Sequence, residues 1–387
     1  MNNNLHVLDI NSGKFEKKFE KKSFDPIQFY CKYISKSGKD CNIAKSNRLK
    51  PYNRDPNYFA GVSYDEDIIY ISTGFEMLVP WESSMYGGLK YITYVNELGE
   101  KEKFKYEIFG ESYPGLLKLD TSLNLLDAYY VNIQSYPKEN RVPEKSAFWG
   151  ASDRGFYIKD SILIIDNNPD AININKKLRK RANHAYSVFK LGEKNTFNFE
   201  KFLPIEYDRN YTKYLDWHNR TYHFQLKDKL YANIINGGYI NELNDNYNTY
   251  RLKGLGNELI KENVPQFIED TSWFKVNYRS LSANSIFDDS YALVLYYYQD
   301  RPALELLEED DFGNLKTVQV MDLSNVEGFS TLESNLRIPH NGDGVCINDD
   351  KIYLMQFEKG EYYLYEYSIT LRKKKTDSVF KKQETGN

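Results

Sequence analysis

The stretch "LDWHNRTYHF" (Leu215 to Phe224) gathers side chains suited to holding a ligand. Arg220 offers a planar, forked donor for an anionic or sugar-like group, and Trp217 offers a face for stacking. His218 and His223 supply two of the five histidines in the chain. "RIPHNGDG" (Arg337 to Gly344) repeats this chemistry with Arg337, His340, Asn341 and Asp343, "FKVNYRSLS" adds Arg279, and "FWGASDRG" adds Trp149, Asp153 and Arg154. The candidate ligand-binding set is therefore Trp217, His218, Arg220, Arg279, Arg337 and His340. The competing readings are a loop with a packed tryptophan and ordinary Asn-Gly-Asp-Gly turn chemistry.

Catalysis has weaker support. Acidic neighbours occur at Asp65/Asp67, at Glu308 to Asp311 and at Asp349/Asp350. Glycoside cleavage needs two carboxylates about 5–10 Å apart across a cleft, which adjacency in sequence does not supply. The "EEDD" run reads as a solvated turn. No G-x-S-x-G elbow, His-Glu-x-x-His helix or phosphate loop is present, so catalytic residues stay unassigned and no cofactor or metal is expected. The basic run "KKLRKR" (Lys176 to Arg181) can touch phosphates or an acidic partner, or can simply top an exposed loop. Cys31, Cys41 and Cys346 lack metal-ligand spacing. Cys31 and Cys41 are expected as two free buried thiols, with pairing in an oxidising compartment as the alternative.

The elements that position these residues follow from a repeat. Asp67, Asp160, Asp228, Asp289 and Asp350 each stand at a polar turn and lead an apolar run: "IIYIS", "ILIID", "LYANII", "YALVLYYY" and "IYLMQF". Successive intervals are 93, 68, 61 and 61 residues, a period that signals a repeat architecture. The aspartates read as turn caps accepting backbone N–H bonds, in preference to a ring of carboxylates around a cation. A short strand precedes each aspartate ("FAGVSY", "FWGASD", "TYHFQL", "GVCIN") and an alternating strand–turn–strand follows it. About four antiparallel strands per repeat describe a propeller blade. The long first interval is explained by an inserted hairpin, "GGLKYITYVNELGEKEKFKYEI" (Gly87 to Ile108). "GLGNELIKENVPQFIED" (Gly254 to Asp270) can hold a short helix.

The expected fold is thus all-β: one β-propeller of about six four-stranded antiparallel blades over residues 1–370, with an insertion near 76–112 and a polar tail at 371–387. Five blades plus a closing N-terminal strand pair is the alternative. The aromatic excess, 34 Tyr and 22 Phe against 5 Met, suits pleated, half-buried surfaces. A formal net charge of -4 gives no reason to expect nucleic acid. No apolar run approaches the roughly 18 residues of a transmembrane helix. The N-terminus "MNNNLHVLDINSGKFEKKF" shows no signal peptide, so the literal location is cytoplasmic; the cell envelope or secretion is the alternative if a leader was removed. A monomer is expected.

"LHVLDINSGKFEKKF", "GLLKLDTSLNLLDAYYV" and "NDDKIYLMQFEKGEYYLYEYSI" resemble blades of six-bladed, TolB-like propellers. They are similar in particular to an uncharacterised propeller family of Bacteroidetes, the DUF4221 type. The resemblance covers most of the chain and implies the ring fold. Members of that family usually look like secreted lipoproteins, whereas this chain lacks a lipobox cysteine. It implies no catalytic residues. The function expected is binding or scaffolding of an unknown protein or small-molecule ligand at one face of the ring. The alternative is a hydrolase or lyase acting on a carbohydrate or related ligand in the channel.

Overall fold

The computed structural model describes residues 5–9, 12, 14–19, 28, 31–32, 41, 57–65, 67–77, 89–95, 98–107, 111–132, 135, 137, 156–166, 186–203, 221–234, 239–244, 248–252, 278–298, 301–329, 344–358 and 361–371. The architecture is all-β. An N-terminal hairpin joins β1 (Leu5–Asp9) to β2 (Lys14–Phe19). Then come β3 (Asn57–Asp65) and β4 (Ile68–Met77), a separate hairpin of β5 (Leu89–Val95) and β6 (Lys101–Glu107), and β7 (Glu111–Asp120) with β8 (Leu125–Asn132). The second repeat holds β9 (Phe156–Lys159), β10 (Ile162–Asp166), β11 (Tyr186–Leu191) and β12 (Thr196–Phe202). The third holds β13 (Thr221–Leu226), β14 (Lys229–Ile234), β15 (Tyr239–Glu242) and β16 (Thr249–Arg251). The fourth holds β17 (Tyr278–Ile286), β18 (Tyr291–Tyr298), β19 (Arg301–Glu309) and β20 (Leu315–Asp322). The fifth holds β21 (Gly344–Asn348), β22 (Lys351–Glu358) and β23 (Glu361–Ser368).

Within each repeat the strands form an antiparallel meander. The first strands neighbour one another in chain order: β3 lies beside β9, β9 beside β13, β13 beside β17 and β17 beside β21. Blades succeeding one another around their innermost strands make a β-propeller arrangement. A polar contact also joins the first two blades. β8 and β12, their outermost strands, pair in parallel through Thr196↔Tyr130 to Asn198↔Asn132, creating one eight-stranded, nearly closed sheet. Asn132 Nδ2 donates to Asn198 Oδ1 at 2.9 Å and Asn195 Nδ2 to Asp127 Oδ1 at 2.6 Å across that join.

The core lies in the seams between blades, which explains the unbroken apolar runs. On β18, Ala292, Val294 and Tyr296 pack toward the third blade, while Leu293, Leu295 and Tyr297 pack toward the fifth. A strand covered on both faces needs no polar alternate positions.

The repeated aspartates lie in the loops joining the first two strands of each blade. Those loops span two residues in four blades, closed by Asp65↔Ile68, Lys159↔Ile162, Leu226↔Lys229 and Asn348↔Lys351. In the fourth blade the loop is 287–290. Asp160, Lys227 and Asp349, first in their loops, are left-handed with φ of 53°, 54° and 50°. That conformation matches the strand twist of tight hairpins. Capping, however, is done elsewhere: among the described residues none of the five carboxylates accepts a backbone N–H. Asp120 and Asp310 do so at the outer hairpins. Asp120 Oδ1 takes the N–H groups of Ser122 and Asn124, and Asp310 Oδ1 those of Phe312 and Asn314. The physical reason is position: the N–H groups two and four residues on from each of these aspartates belong to the following strand and its ladder, so no Asx turn can collect them.

The cysteine expectation is also corrected. Cys31 and Cys41 are joined in a disulfide with Cα atoms 5.0 Å apart, a separation well within bridging range. Cys346 is a free, exposed thiol. The helix expected within 254–270 and the tail beyond 371 lie outside the described residues.

Candidate functional site

Two rims follow from strand direction. β10 ends at Asp166 where β9 begins, through Ile165↔Phe156, and β13 begins opposite the end of β14, through Thr221↔Ile234. One rim therefore carries the starts of the innermost strands, and the other carries the aspartate loops.

At the first rim a buried polar contact crosses each of two consecutive seams. Asp166, fifth residue of β10, sits 3.4 Å (Oδ1 to Nε2) from His223, third residue of β13; their side chains are 2% and 5% exposed. One seam on, Asn233, fifth residue of β14, accepts a short hydrogen bond from the hydroxyl of Ser280, third residue of β17. Both of those residues are buried. Ser72, fifth residue of β4, is buried at the matching place. In the fourth and fifth blades the same position is Leu295 and Met355. Burial of such groups is costly, and Asp166 Oδ1 is buried without accepting a hydrogen bond, so two successive polar seams, with Ser72 at the matching place one blade before, set this part of the rim apart.

From His223 a line of polar side chains runs down the β9–β13 seam. The Tyr157 ring lies 6.4 Å from that of His223, and its hydroxyl is 3.5 Å from Gln225 Oε1. Lys159 Nζ donates to the same oxygen at 3.0 Å, and Gln225 Nε2 donates to the Lys227 carbonyl at 2.7 Å. Burial pushes the Tyr157 phenol up to about 12, assisted by the negative charges of Asp65, Asp160 and Asp289. Three blades thus contribute carboxylates to the field at the aspartate rim. Among the described residues no group of His, Cys, Asp and Glu is arranged to hold a metal ion.

The seam between the third and fourth blades is locked at the aspartate rim. Lys229 Nζ lies 3.1 Å from Glu309 Oε1 and 3.9 Å from Glu242 Oε1, and donates to the Gly313 carbonyl at 2.6 Å. Tyr231 OH donates to Glu309 Oε1 at 2.6 Å, while Asn248 Nδ2 and Tyr250 OH approach Glu242 Oε2 at 2.9 and 3.3 Å. Burial and the Glu309 hydrogen bond raise the Tyr231 phenol far above its ordinary range. Lys229 and these hydrogen bonds engage both carboxylates across the seam, so they join the blades.

Arg279 is second in β17, opposite Tyr297 in the ladder. Trp217, His218, Arg220, Arg337 and His340 lie outside the described residues, as do Trp149, Asp153, Arg154, Asn341, Asp343 and the basic run 176–181. Sequence reading noted His223 but missed Asp166, Asn233 and Ser280. The available signal was a polar residue closing or interrupting an apolar run, as in "ILIID" and "LYANII". Among the described residues the void lined by Ser72, Gly115, Leu116, Val131, Phe156, Leu163 and Ile165 has a volume of about 10 Å³. It holds one water at most and is a packing void.

No family model matches the chain. No curated protein matches it either. Solved structures to which it is similar include a virginiamycin B lyase from Staphylococcus aureus, 8% identical over 83% of this chain and 87% of that one, TM-score 0.28. A protein from Lactobacillus plantarum is 10% identical over 82% and 85%, TM-score 0.32. A protein from Bacteroides fragilis is 7% identical over 76% and 78%, TM-score 0.32. Likeness this slight carries no weight for fold or activity. The β-propeller assignment rests on the strand order and seams described above.

Proposed function

We propose that this chain is a binding or scaffold propeller that takes its ligand at the rim where the innermost strands begin. The observation that carries this reading is the Asp166–His223 pair, set across a seam at that rim and continued by Asn233–Ser280 in the next seam. Polar groups are costly where Leu295 and Met355 stand in the fourth and fifth blades, and their recurrence at this rim in successive blades favours a local task over general ring closure. Trp217, His218, Arg220, Arg337 and His340 precede β13 and β21 in the chain, and Arg279 begins β17; in this reading they supply stacking and anion-binding groups above that sector. The ligand is a small molecule or a protein segment carrying an anionic or hydroxyl-rich group.

Six blades, with one ahead of those numbered above represented by β1 and β2, remain our reading of the ring, as does the likeness to TolB-like and DUF4221-type propellers. The Cys31–Cys41 bridge supports a location outside the reducing cytosol. The hydrolase or lyase reading gains nothing from Glu242 and Glu309, whose oxygens are engaged by Lys229, Tyr231, Asn248 and Tyr250 within a seam. The test is a melting-shift screen of sugars, sugar acids and phosphorylated metabolites. A ligand whose shift disappears in Arg220→Ala and Arg337→Ala, with unchanged unliganded melting, supports the proposal; a shift that survives both substitutions refutes it.

A further inference from the structure

The segment inserted in the first blade leaves and rejoins the ring at the rim where the innermost strands begin. β4 runs from the aspartate loop toward that rim, and its ladder with β7 is unbroken from Ile68↔Asp120 to Met77↔Glu111. β4 therefore continues five residues past Ser72, whereas β10 ends at Asp166, the matching place. Between the strand ends Met77 and Glu111 the chain makes the hairpin of β5 and β6.

This hairpin is a sheet of its own, in unbroken register from Leu89↔Glu107 to Val95↔Lys101. Its tip stands in solvent: Leu98 is 82% exposed, a Cβ at Gly99 would meet nothing within 4 Å, and Glu100 and Lys101 are exposed. Strands of seven residues give it a reach of about 23 Å.

β6 reads KEKFKYE. Lys101, Lys103 and Lys105 take alternate positions, which share one face of the hairpin at a spacing of about 7 Å. Opposite them in the ladder stand Val95, Thr93 and Tyr91, none of them acidic. Glu102 takes the other face, Glu107 ends the row at its base, and Glu97 and Glu100 belong to the turn. A chain with a formal net charge of -4 thus sets three cations in line on the insertion that rises from this rim.

We propose that the inserted hairpin is an arm of the ligand site and that its lysine row selects an acidic oligosaccharide. The proposal rests on the placement of the ligand at this rim. Three cations in line suit several anionic groups in succession better than one isolated carboxylate or phosphate. Tyr91, opposite Lys105, and Trp217 at the rim are residue types suited to the faces of sugar rings.

The test is titration calorimetry of the full chain with an oligogalacturonate and with its methyl ester, which keeps the sugars and loses the charges. Binding of the acid but not of the ester is expected, weakening as salt is raised past about 0.15 M. Lys101→Gln, Lys103→Gln and Lys105→Gln together are expected to lower affinity about tenfold and to flatten its salt dependence, with unchanged melting of the unliganded chain. Replacing residues 78–110 by a two-residue turn between the facing ends Met77 and Glu111 is expected to lower it at least as far. No binding of the acid, equal binding of the ester, or a lysine variant that binds as the native chain does overturns the proposal. Arg220→Ala with Arg337→Ala separates it from the reading on which it rests. Binding lost there but kept in the lysine variant removes the arm and leaves the rim; binding lost only in the lysine variant removes the rim reading.

Discussion

Asp166 and His223 matter because two polar side chains, nearly sealed from water, depend on each other across a blade seam. Removing His223 by alanine takes the imidazole away from a buried carboxylate oxygen that accepts no hydrogen bond, a loss of about 1 kcal/mol in unfolding free energy by denaturant titration. The Asn233–Ser280 contact one seam on suggests the remedy: Asp166→Asn with His223→Ser copies it and should recover most of that loss. A double variant as unstable as the alanine variant would show that the two positions are not equivalent. Asp322 gives a pH signature at the same scale. The Ser324 hydroxyl and backbone N–H, then Arg301, lower its carboxyl from 3.8 to about 2. A carboxyl lowered on folding stabilises the fold above its unfolded value, and that contribution fades as pH falls from near 3.8 through about 2. Asp322→Asn should flatten stability over that acid window and leave its pH dependence above 5 unchanged, a value chosen roughly one unit clear of the titration. The sequence disclosed His223 within a polar cluster but not Asp166, because their pairing spans two blades: the polar close of "ILIID" marks the residue and not its partner. The repeated aspartates were legible as turn residues, yet the caps proved to be Asp120 and Asp310, where longer outer turns present N–H groups to a carboxylate.

At the scale of elements, seams hold the molecule together. Lys229 bridges Glu309 of the fourth blade and Glu242 of its own, both 4% exposed, while keeping 27% of its own side chain in water. Lys229→Met should cost about 2–3 kcal/mol in denaturant titration, less than the 3–5 of a fully buried pair because of that exposure. A cost below half a kcal/mol, roughly the worth of a surface pair, would mean the network is only a surface feature. The strands themselves were readable: "YALVLYYY" became β18, and its continuous apolar run reflects burial toward two neighbouring blades. The parallel join of β8 to β12 was not readable. It depends on how two outer edges meet in space and on Asn132, Asn195 and Asn198, whose contacts across the join leave no pattern in the sequence.

For the whole molecule, a propeller built from successive hairpins explains the repeat, the tyrosine content and the seam-centred core. The repeat exposes its period because each blade solves the same packing problem; the sector we propose for binding is hidden because it departs from that solution. The disulfide escaped sequence reading because ten residues of separation fit a bridge or two free thiols equally well. Alkylation of the denatured, unreduced chain should label Cys346 alone, and reduction should add Cys31 and Cys41; three labels without reductant would contradict the bridge. The central claim is that the ligand sits where the innermost strands begin. Amide hydrogen exchange of the chain with and without the ligand found by the melting screen tests it most directly. Slowed exchange at the first residues of β13 and β17 and the last residues of β10 and β14 is predicted. Slowing confined to the aspartate loops, or to the outer strands β20 and β23, would contradict it.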